Sequence, residues 1–257
     1  RGYPPAAIRS FCHRVGVTKV NSVTDMAILE SEIRDELNLT AQRRMAVLDP
    51  LKVVITNWPA DDHSEHVEVP NNPANKEAGT RMVSLGKEIW IEREDFMEDP
   101  PKKFFRLGPG RSARLRGGYI ITCTGFEKNE AGELTEIHCE FIPDTIGQDA
   151  PEGIKCRAAI HWVDAATAAT AEVRLYDRLF SEENPDAAKG GFLSCLNPDS
   201  LTIIENAKLE LSLSEADKGS RYQFERIGYF CADAIDHAPG ERIVFNRTVA
   251  LKDSWKK

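Results

Sequence analysis

The hydrophobic rhythm of the chain changes once. Over the first forty or so positions apolar residues recur at helical spacing: Ile8, Phe11, Cys12 and Val15 fall at i, i+3, i+4 and i+7, which predicts a helix with one apolar face. The pair Pro4 and Pro5 suits the start of that helix, and Gly16 suits its end. A second run, SVTDMAILESEIRDELN, sets Met26, Leu29, Ile33 and Leu37 in one stripe, with Ser22 or Thr24 as candidate caps. Both helices are short and amphipathic, so each needs a surface to pack against.

From Met45 onward the period is two. MAVLDPLKVVITNW, HVEVP, KEIWIERED, SARLRGGYIITCTGFE, LTEIHCEFI, CRAAIHWV, TAEVRLYDRLF, SLTIIENAKLEL, YQFERIGYFCAD and ERIVFNRTVAL are rich in β-branched and aromatic residues. Turn clusters such as PNNPANKEAG, EKNEAGE, DTIGQDAPEG and HAPGE separate them. No helical pattern long enough for parallel crossovers interrupts these segments. The predicted fold is therefore mainly β: two small antiparallel β-barrels preceded by a small α-helical subdomain.

At 257 residues, 41% hydrophobic and 29% charged, the chain has the composition of a globular protein of about two domains and not of a disordered one. It holds no apolar run of about 18 residues, so no membrane partner is expected. Its opening, RGYPPAAIRSFCHR, carries neither an initiator Met nor a leader pattern, which leads to the expectation of a piece of a longer protein. Six cysteines stand singly, as reduced core thiols of a cytoplasmic protein do. His63 and His66 lie three apart in DDHSEH with no third ligand in view, so a solvated loop and no metal site is expected there. Phosphate loops, nucleophile elbows and HExxH are missing from the sequence, and no catalytic residue is nominated.

Charge changes the picture most. The formal net charge is -8, yet residues 102 to 126 carry +6 with no carboxylate, leaving -14 on the remainder. One reading is an edge strand guarded by positive charge against aggregation. Three features favour nucleic acid. Four of the six cations are Arg, whose planar fork pairs with phosphate oxygens and base edges. Glycines in RLGPGRS and RLRGGY allow close backbone approach. Phe104 and Phe105 offer a face for an unpaired base. An acidic body with one basic surface suits a discriminating binder of a specific RNA.

RGYPPAAIRSFCHRVGVTK, RRMAVLDPLKVVI, GKEIWIEREDF, AAIHWVDA, VRLYDRLFSEENP, FLSCLNPDSL, YQFERIGYFCAD and VFNRTVALKDSW occur in that order and together resemble the C-terminal half of the bacterial glutaminyl-tRNA synthetase family. The resemblance spans essentially the whole chain. It implies a helical connecting subdomain at 1–42, a proximal barrel at 43–85 and 166–257, and a distal barrel inserted at 86–165. In that family an N-terminal catalytic domain bears the HIGH and KMSK signatures, and neither occurs here. The implied partners are the tRNA for glutamine and the enzyme's own N-terminal catalytic domain, in a monomer. No cofactor is implied for this chain, and ATP with magnesium serves only the full-length ligase. Two alternatives are the archaeal and eukaryotic type of glutamyl-tRNA synthetase, which shares the barrels, and a ribosomal-RNA-binding barrel protein; the wording FNRTVALKDSW favours the glutamine type.

The family splays the anticodon, C or U, then U, then G, into separate pockets. By resemblance Arg43, in AQRRMAV, matches an arginine at the middle and third bases, and Arg106, in FFRL, one at the third. Arg114, in SARLR, matches an arginine at the first base, with Arg116 beside it on the same face. Gln223 and Arg226, in YQFER, match an amide and a cation at the middle and third bases, with Glu225 between them. Relatives commonly show Gln-Tyr-Lys-Arg where this chain has Lys103, Phe104, Phe105 and Arg106, and Lys103 stands in for the lost lysine. Arg106 and Arg114 are expected on one hairpin of the distal barrel, and Asn71 or Asn72, in the polar turn PNNP, as a weak contact of the anticodon loop. Trp90, Trp162, Tyr176 and Trp255 are expected as core aromatics, and Asp177 with Arg178 as a structural pair.

Overall fold

The computed structural model describes residues 1–20 and 23–252. The candidate cap Ser22 and the expected core residue Trp255 lie outside the described residues. Helix α1 (Pro5–Val15) begins as its prolines require, with Pro4 at the cap, and ends at Gly16, which has φ 72° and donates its N–H to the Cys12 carbonyl. Its buried face differs from the expected one: Ala7 is buried, whereas Ile8 and Val15 are exposed at 43% and 39%. Helix α2 (Met26–Thr40) is capped by Asp25, whose carboxylate accepts from the Ala27 N–H at 2.9 Å, and not by Thr24. Leu29, Ile33 and Leu37 face inward as their stripe predicts, and pack with Ala7, Tyr229 and Val249.

The strands follow as β1 (Gln42–Arg44), β2 (Ala46–Val47), β3 (Pro50–Ile55), β4 (Glu65–Pro70), β5 (Thr80–Leu85), β6 (Glu88–Glu92), β7 (Ser112–Leu115) and β8 (Ile120–Lys128). After them come β9 (Leu134–Ile142), β10 (Ala159–Ile160), β11 (Trp162–Asp164), β12 (Ala169–Tyr176), β13 (Leu201–Leu209), β14 (Arg221–Phe224), β15 (Gly228–Ala232) and β16 (Val244–Ala250). One sheet runs β1-β14-β15-β16-β12-β13-β2 and another β10-β7-β8-β9-β3-β6-β11, while β4 and β5 form a separate hairpin. In the first sheet the two edge strands, β1 and β2, are separated only by Met45; in the second, β10 and β11 are separated only by His161. A chain that crosses from one edge to the other in a single residue forces each sheet to curl on itself, giving two nearly closed barrels with almost no free edge.

Most pairings are antiparallel, as the turn spacing predicts. The pairs β1 with β14, β12 with β16, β7 with β10 and β3 with β9 are parallel and join strands that are not consecutive in the chain. The segment 50–85, placed by the resemblance with the proximal barrel, lies with the second: β3 hydrogen-bonds between β6 and β9. Leu51, Val53 and Ile55 alternate into that core, and Val67, Val69, Val83 and Leu85 of the hairpin join them.

Alternation on β2 welds the barrels together. Ala46 enters the first core while Met45 and Val47 enter the second. The first core is aromatic, with Phe224 stacked on Phe230 at 4.1 Å and Phe245 edge-on; the second is aliphatic around a fully buried Trp162. Trp90 packs on that core from its rim and Tyr176 is half-buried. Arg178 pairs across to α2, 3.6 Å from Asp25, while Asp177 accepts from the Arg178 backbone N–H; the expected pair between their side chains is replaced by a tie to the helix.

Candidate nucleic-acid interface

The basic strip is not one hairpin. Lys102 to Gly110 form an irregular loop between the β6 end and β7, and only Ser112 onward is strand. Arg106 therefore sits on the loop and Arg114 on β7. The loop is pinned from beneath by Arg111, whose guanidinium donates to the carbonyls of Pro100, Pro101 and Phe104. Arg114 donates to the Thr145 and Gln148 carbonyls and so ties β7 to the next loop. Lys103 is exposed at the loop's turn.

Arg106 and Arg226 reach one carboxylate from different barrels. Asp95, with none of its surface exposed, ends a short 3-10 turn (Arg93–Asp95) after β6. Arg226 grips it end-on, Nη1 to Oδ2 at 2.7 Å and Nη2 to Oδ1 at 2.6 Å, and Arg106 places Nε 3.2 Å from Oδ1. Burial lowers the pKa of Arg226, but the hydrogen bonds and charge of Asp95, with Glu94 and Glu92 nearby, hold it above its ordinary value. Arg226 has φ 67° in the three-residue turn between β14 and β15, a left-handed backbone that costs a non-glycine residue ~1–2 kcal/mol. That tight turn aims its side chain at the neighbouring barrel.

Behind this pair, buried His161 lies 3.3 Å from Arg226 and 3.4 Å from Glu92, and Glu92 accepts from the Leu48 and Asp49 N–H groups where the chain passes between barrels. Arg116 contacts Glu225 at 3.3 Å, again between barrels. On the parallel pair β1 and β14, Arg43 stands opposite Gln223. Its Nε donates to Gln223 Oε1 at 2.8 Å and its Nη2 to Asn38 Oδ1 at 2.9 Å.

The fold thus gathers Arg106, Arg226, Arg116 and Glu225 along the seam of the barrels, and holds Arg43 with Gln223 on the first barrel; Arg114 is engaged with carbonyls instead. Asn72, expected with Asn71 as an alternative contact of the anticodon loop, is buried, and its amide donates to the Asn38, Leu39 and Ala41 carbonyls at the end of α2. It caps those orphan carbonyls and is closed to a ligand. Asn71 likewise bonds Ala78 and Thr80 and accepts from Arg44.

Two residues escaped sequence reasoning. Asp95 sits in EREDF among other acids, and nothing local marks it as the buried one. Arg157, exposed before β10, stacks on the half-exposed Phe105 ring at 5.2 Å, placing a cation beside that ring. Away from the seam, His63 pairs with Glu65, and the group Glu127, Glu136 and His138 lies together on β8 and β9 with Glu136 already held by Lys52 at 2.9 Å. Cys123, Cys139, Cys195 and Cys231 are buried, and Cys12 is exposed. Among the described residues no helix is long and apolar enough to cross a membrane.

Comparison with known proteins gives two family-model matches, both described as tRNA synthetases class I (E and Q), anti-codon binding domain, at residues 41–142 and 159–233. The chain is 51% identical, over its whole length, to 45% of a glutamine--tRNA ligase from Bradyrhizobium diazoefficiens. It is 52% identical over its whole length to proteins of the same name from Nitrobacter winogradskyi, 45% of which is covered, and Ralstonia pickettii, 44% of which is covered. It spans about half the length of these curated relatives.

Proposed function

This chain belongs to the class I tRNA synthetases of the glutamate and glutamine type, in their anticodon-binding region, and from that membership we propose that it binds the anticodon loop of the tRNA for glutamine. The observation that carries the reading is the seam itself. Arginines from both barrels converge there on buried carboxyl groups, in a protein whose net charge of -8 repels polyanions elsewhere. Arg106 is assigned to the third anticodon base, and Arg116 to the first, with Arg114 beside it reaching that base only by releasing the Thr145 and Gln148 carbonyls. Arg43, Gln223 and Arg226 are assigned to the middle and third, with Glu225 orienting Arg116 and Lys103 reaching backbone phosphate. Splayed bases satisfy these donors, and a wrong base leaves a donor unpaired at ~1–3 kcal/mol.

The full-length protein would use ATP and magnesium to join glutamine to that tRNA, with the chemistry in the region outside this chain. Exposed Leu179, Phe192, Leu193 and Leu196 on the β12–β13 connection supply an apolar surface for that region to cover. A cytoplasmic monomer is part of the same reading. Binding of tRNAs for glutamine and for glutamate, measured across a salt series, tests it: preference for the glutamine tRNA and steep weakening with salt are expected, and equal or reversed preference overturns the assignment to glutamine.

A further inference from the structure

We propose that Asp95 is a positioning residue for RNA recognition: its buried carboxylate fixes which edge of Arg106 and which edge of Arg226 faces the ligand. The proposal rests on the anticodon reading above. The two arginines share Asp95 unequally. Arg226 spends one N–H of each terminal nitrogen on the two carboxylate oxygens, and its Nη1 also lies 3.3 Å from His161 Nδ1, leaving the side edge formed by Nε and the second Nη2 N–H. Arg106 gives Asp95 only Nε, which turns its Nη edge away from the protein. That edge is occupied at Nη1 by the Glu94 carbonyl and side chain, both at 3.1 Å. Glu94 is 70% exposed and Asp95 0%, so the two neighbouring acids behave differently. The Glu94 side chain is a screened surface partner that a ligand displaces, whereas Asp95, paired with Arg226 across the barrel junction, is held in place.

What remains is the terminal Nη edge on Arg106 and the Nε/Nη2 side edge on Arg226, each with two donors. Two adjacent acceptors fit the first: O6 and N7 of guanine, or two oxygens of a phosphate. The second suits paired acceptors too, such as two oxygens of a phosphate. Without Asp95, Arg226 would lose its bidentate partner and Arg106 its Nε contact, and the added cost of ordering the two guanidinium groups would fall on binding.

The sign of the effect separates this role from its rivals. Removing a carboxylate from an RNA-binding surface tightens binding if charge alone matters, and also tightens it if Asp95 merely sequesters arginines that would otherwise read the RNA. Positioning alone predicts weaker binding. The test uses the full chain, wild type and Asp95→Asn, with short RNA hairpins whose anticodon is C-U-G, C-U-A or C-U-7-deazaguanine, titrated by fluorescence anisotropy at several salt concentrations. Wild type is expected to favour C-U-G over C-U-A by about tenfold or more, and Asp95→Asn to weaken C-U-G by about tenfold while moving C-U-A by less than about twofold. Weakened wild-type binding of the 7-deazaguanine hairpin assigns the Arg106 edge to guanine. Undiminished binding assigns it to phosphate, and Asp95→Asn then weakens all three hairpins alike with a shallower salt slope. Unchanged or tighter binding of C-U-G by Asp95→Asn overturns the proposal.

A wild type blind to all three hairpins would instead remove the anticodon reading. The clasp is then judged by NMR of the arginine side chains, where separate, slowly exchanging Nη signals for Arg226 support it and a rapidly averaged signal in wild type overturns it. The same spectrum decides if Asp95→Asn fails to fold.

Discussion

Among the described carboxylates that lie between two arginines, Glu210 and Asp95 are buried. Glu210, just after β13, receives Arg81 of the β4–β5 hairpin in a bidentate pair, Nε at 2.6 Å and Nη2 at 2.7 Å, with Arg44 Nε 3.8 Å away. Asp95 receives Arg226 bidentately at 2.6 and 2.7 Å, with Arg106 Nε at 3.2 Å. In both, one arginine claims both oxygens across two sheets and a second touches from the side. They differ in access. The Arg44 and Arg81 side chains are each 11% exposed, those of Arg106 and Arg226 35% and 24%. Burial raises the Glu210 carboxyl, yet Arg81, Ser212 and the Met45 amide bring it below its ordinary value; burial and the neighbouring Arg81 depress Arg44. Sealed on all sides, the arrangement is a strut; left open along one guanidinium edge, it is a place for a ligand.

The comparison breaks first at Arg81. Arg81→Met strips Glu210 of its bidentate partner in a buried setting, and such losses cost ~3–5 kcal/mol. Urea unfolding is expected to show that drop while the preference for guanine at the third anticodon position survives. Lost preference at unchanged stability would make the sealed cluster part of recognition. Arg106→Ala is the mirror image: stability within ~0.5 kcal/mol of wild type, and ~1–3 kcal/mol less discrimination between guanine and adenine, read from paired hairpin titrations. An equal loss for both bases would reduce Arg106 to a phosphate contact.

Period and punctuation made the fold class legible: Pro4, Pro5 and Gly16 bound α1 as expected, and alternation marked the strands. What periodicity lacks is knowledge of partners. Arg226 and Asp95 are 131 residues apart, and an acid in EREDF resembles any solvated acid until another barrel covers it. Asn72 in its polar turn suits a contact with the anticodon loop as well as Asn71 does, because nothing local says that the carbonyls of α2 end beside it. Ile8 and Val15 read as an inward face because the pattern fixes a stripe but not which stripe the rest of the molecule covers. The arginine-rich strip was visible as charge, but its division into pins (Arg111, Arg114) and open edges (Arg106) depends on carbonyls supplied by other loops.

A third arrangement inverts the ratio, one arginine among three acids, and sharpens the comparison through pH. Arg174 contacts Glu172, Asp233 and Asp236 at 2.6, 3.5 and 2.6 Å. Burial pushes the Asp233 carboxyl up, but the Asp236 and Ile235 amides, Asn246 and Arg174 bring it from 3.8 to about 2. A carboxyl depressed on folding stabilises the protein above its unfolded value, and that stabilisation is lost as pH falls through the folded value. Stability is therefore expected to decline between about pH 4 and pH 2, with Asp233→Asn less stable at pH 5 and flatter below pH 4. Parallel curves for the two proteins would remove Asp233 from the acid response.

The smallest effect concerns a cation with no carboxylate partner among the described residues. Arg157 rests on the Phe105 ring at 5.2 Å, and Phe105 is 47% exposed, so this charge is oriented by an aromatic face and remains open to solvent. The proposed role of such a cation is to contact phosphate and not to read a base. Arg157→Ala is accordingly expected to weaken every hairpin by the same factor, about threefold, and to make the salt dependence shallower by about one counterion. Since Arg106 owes its orientation to Asp95 and Arg157 does not, the double variant Asp95→Asn with Arg157→Ala should show additive losses; a loss well short of the sum would place Arg157 inside the same clasp.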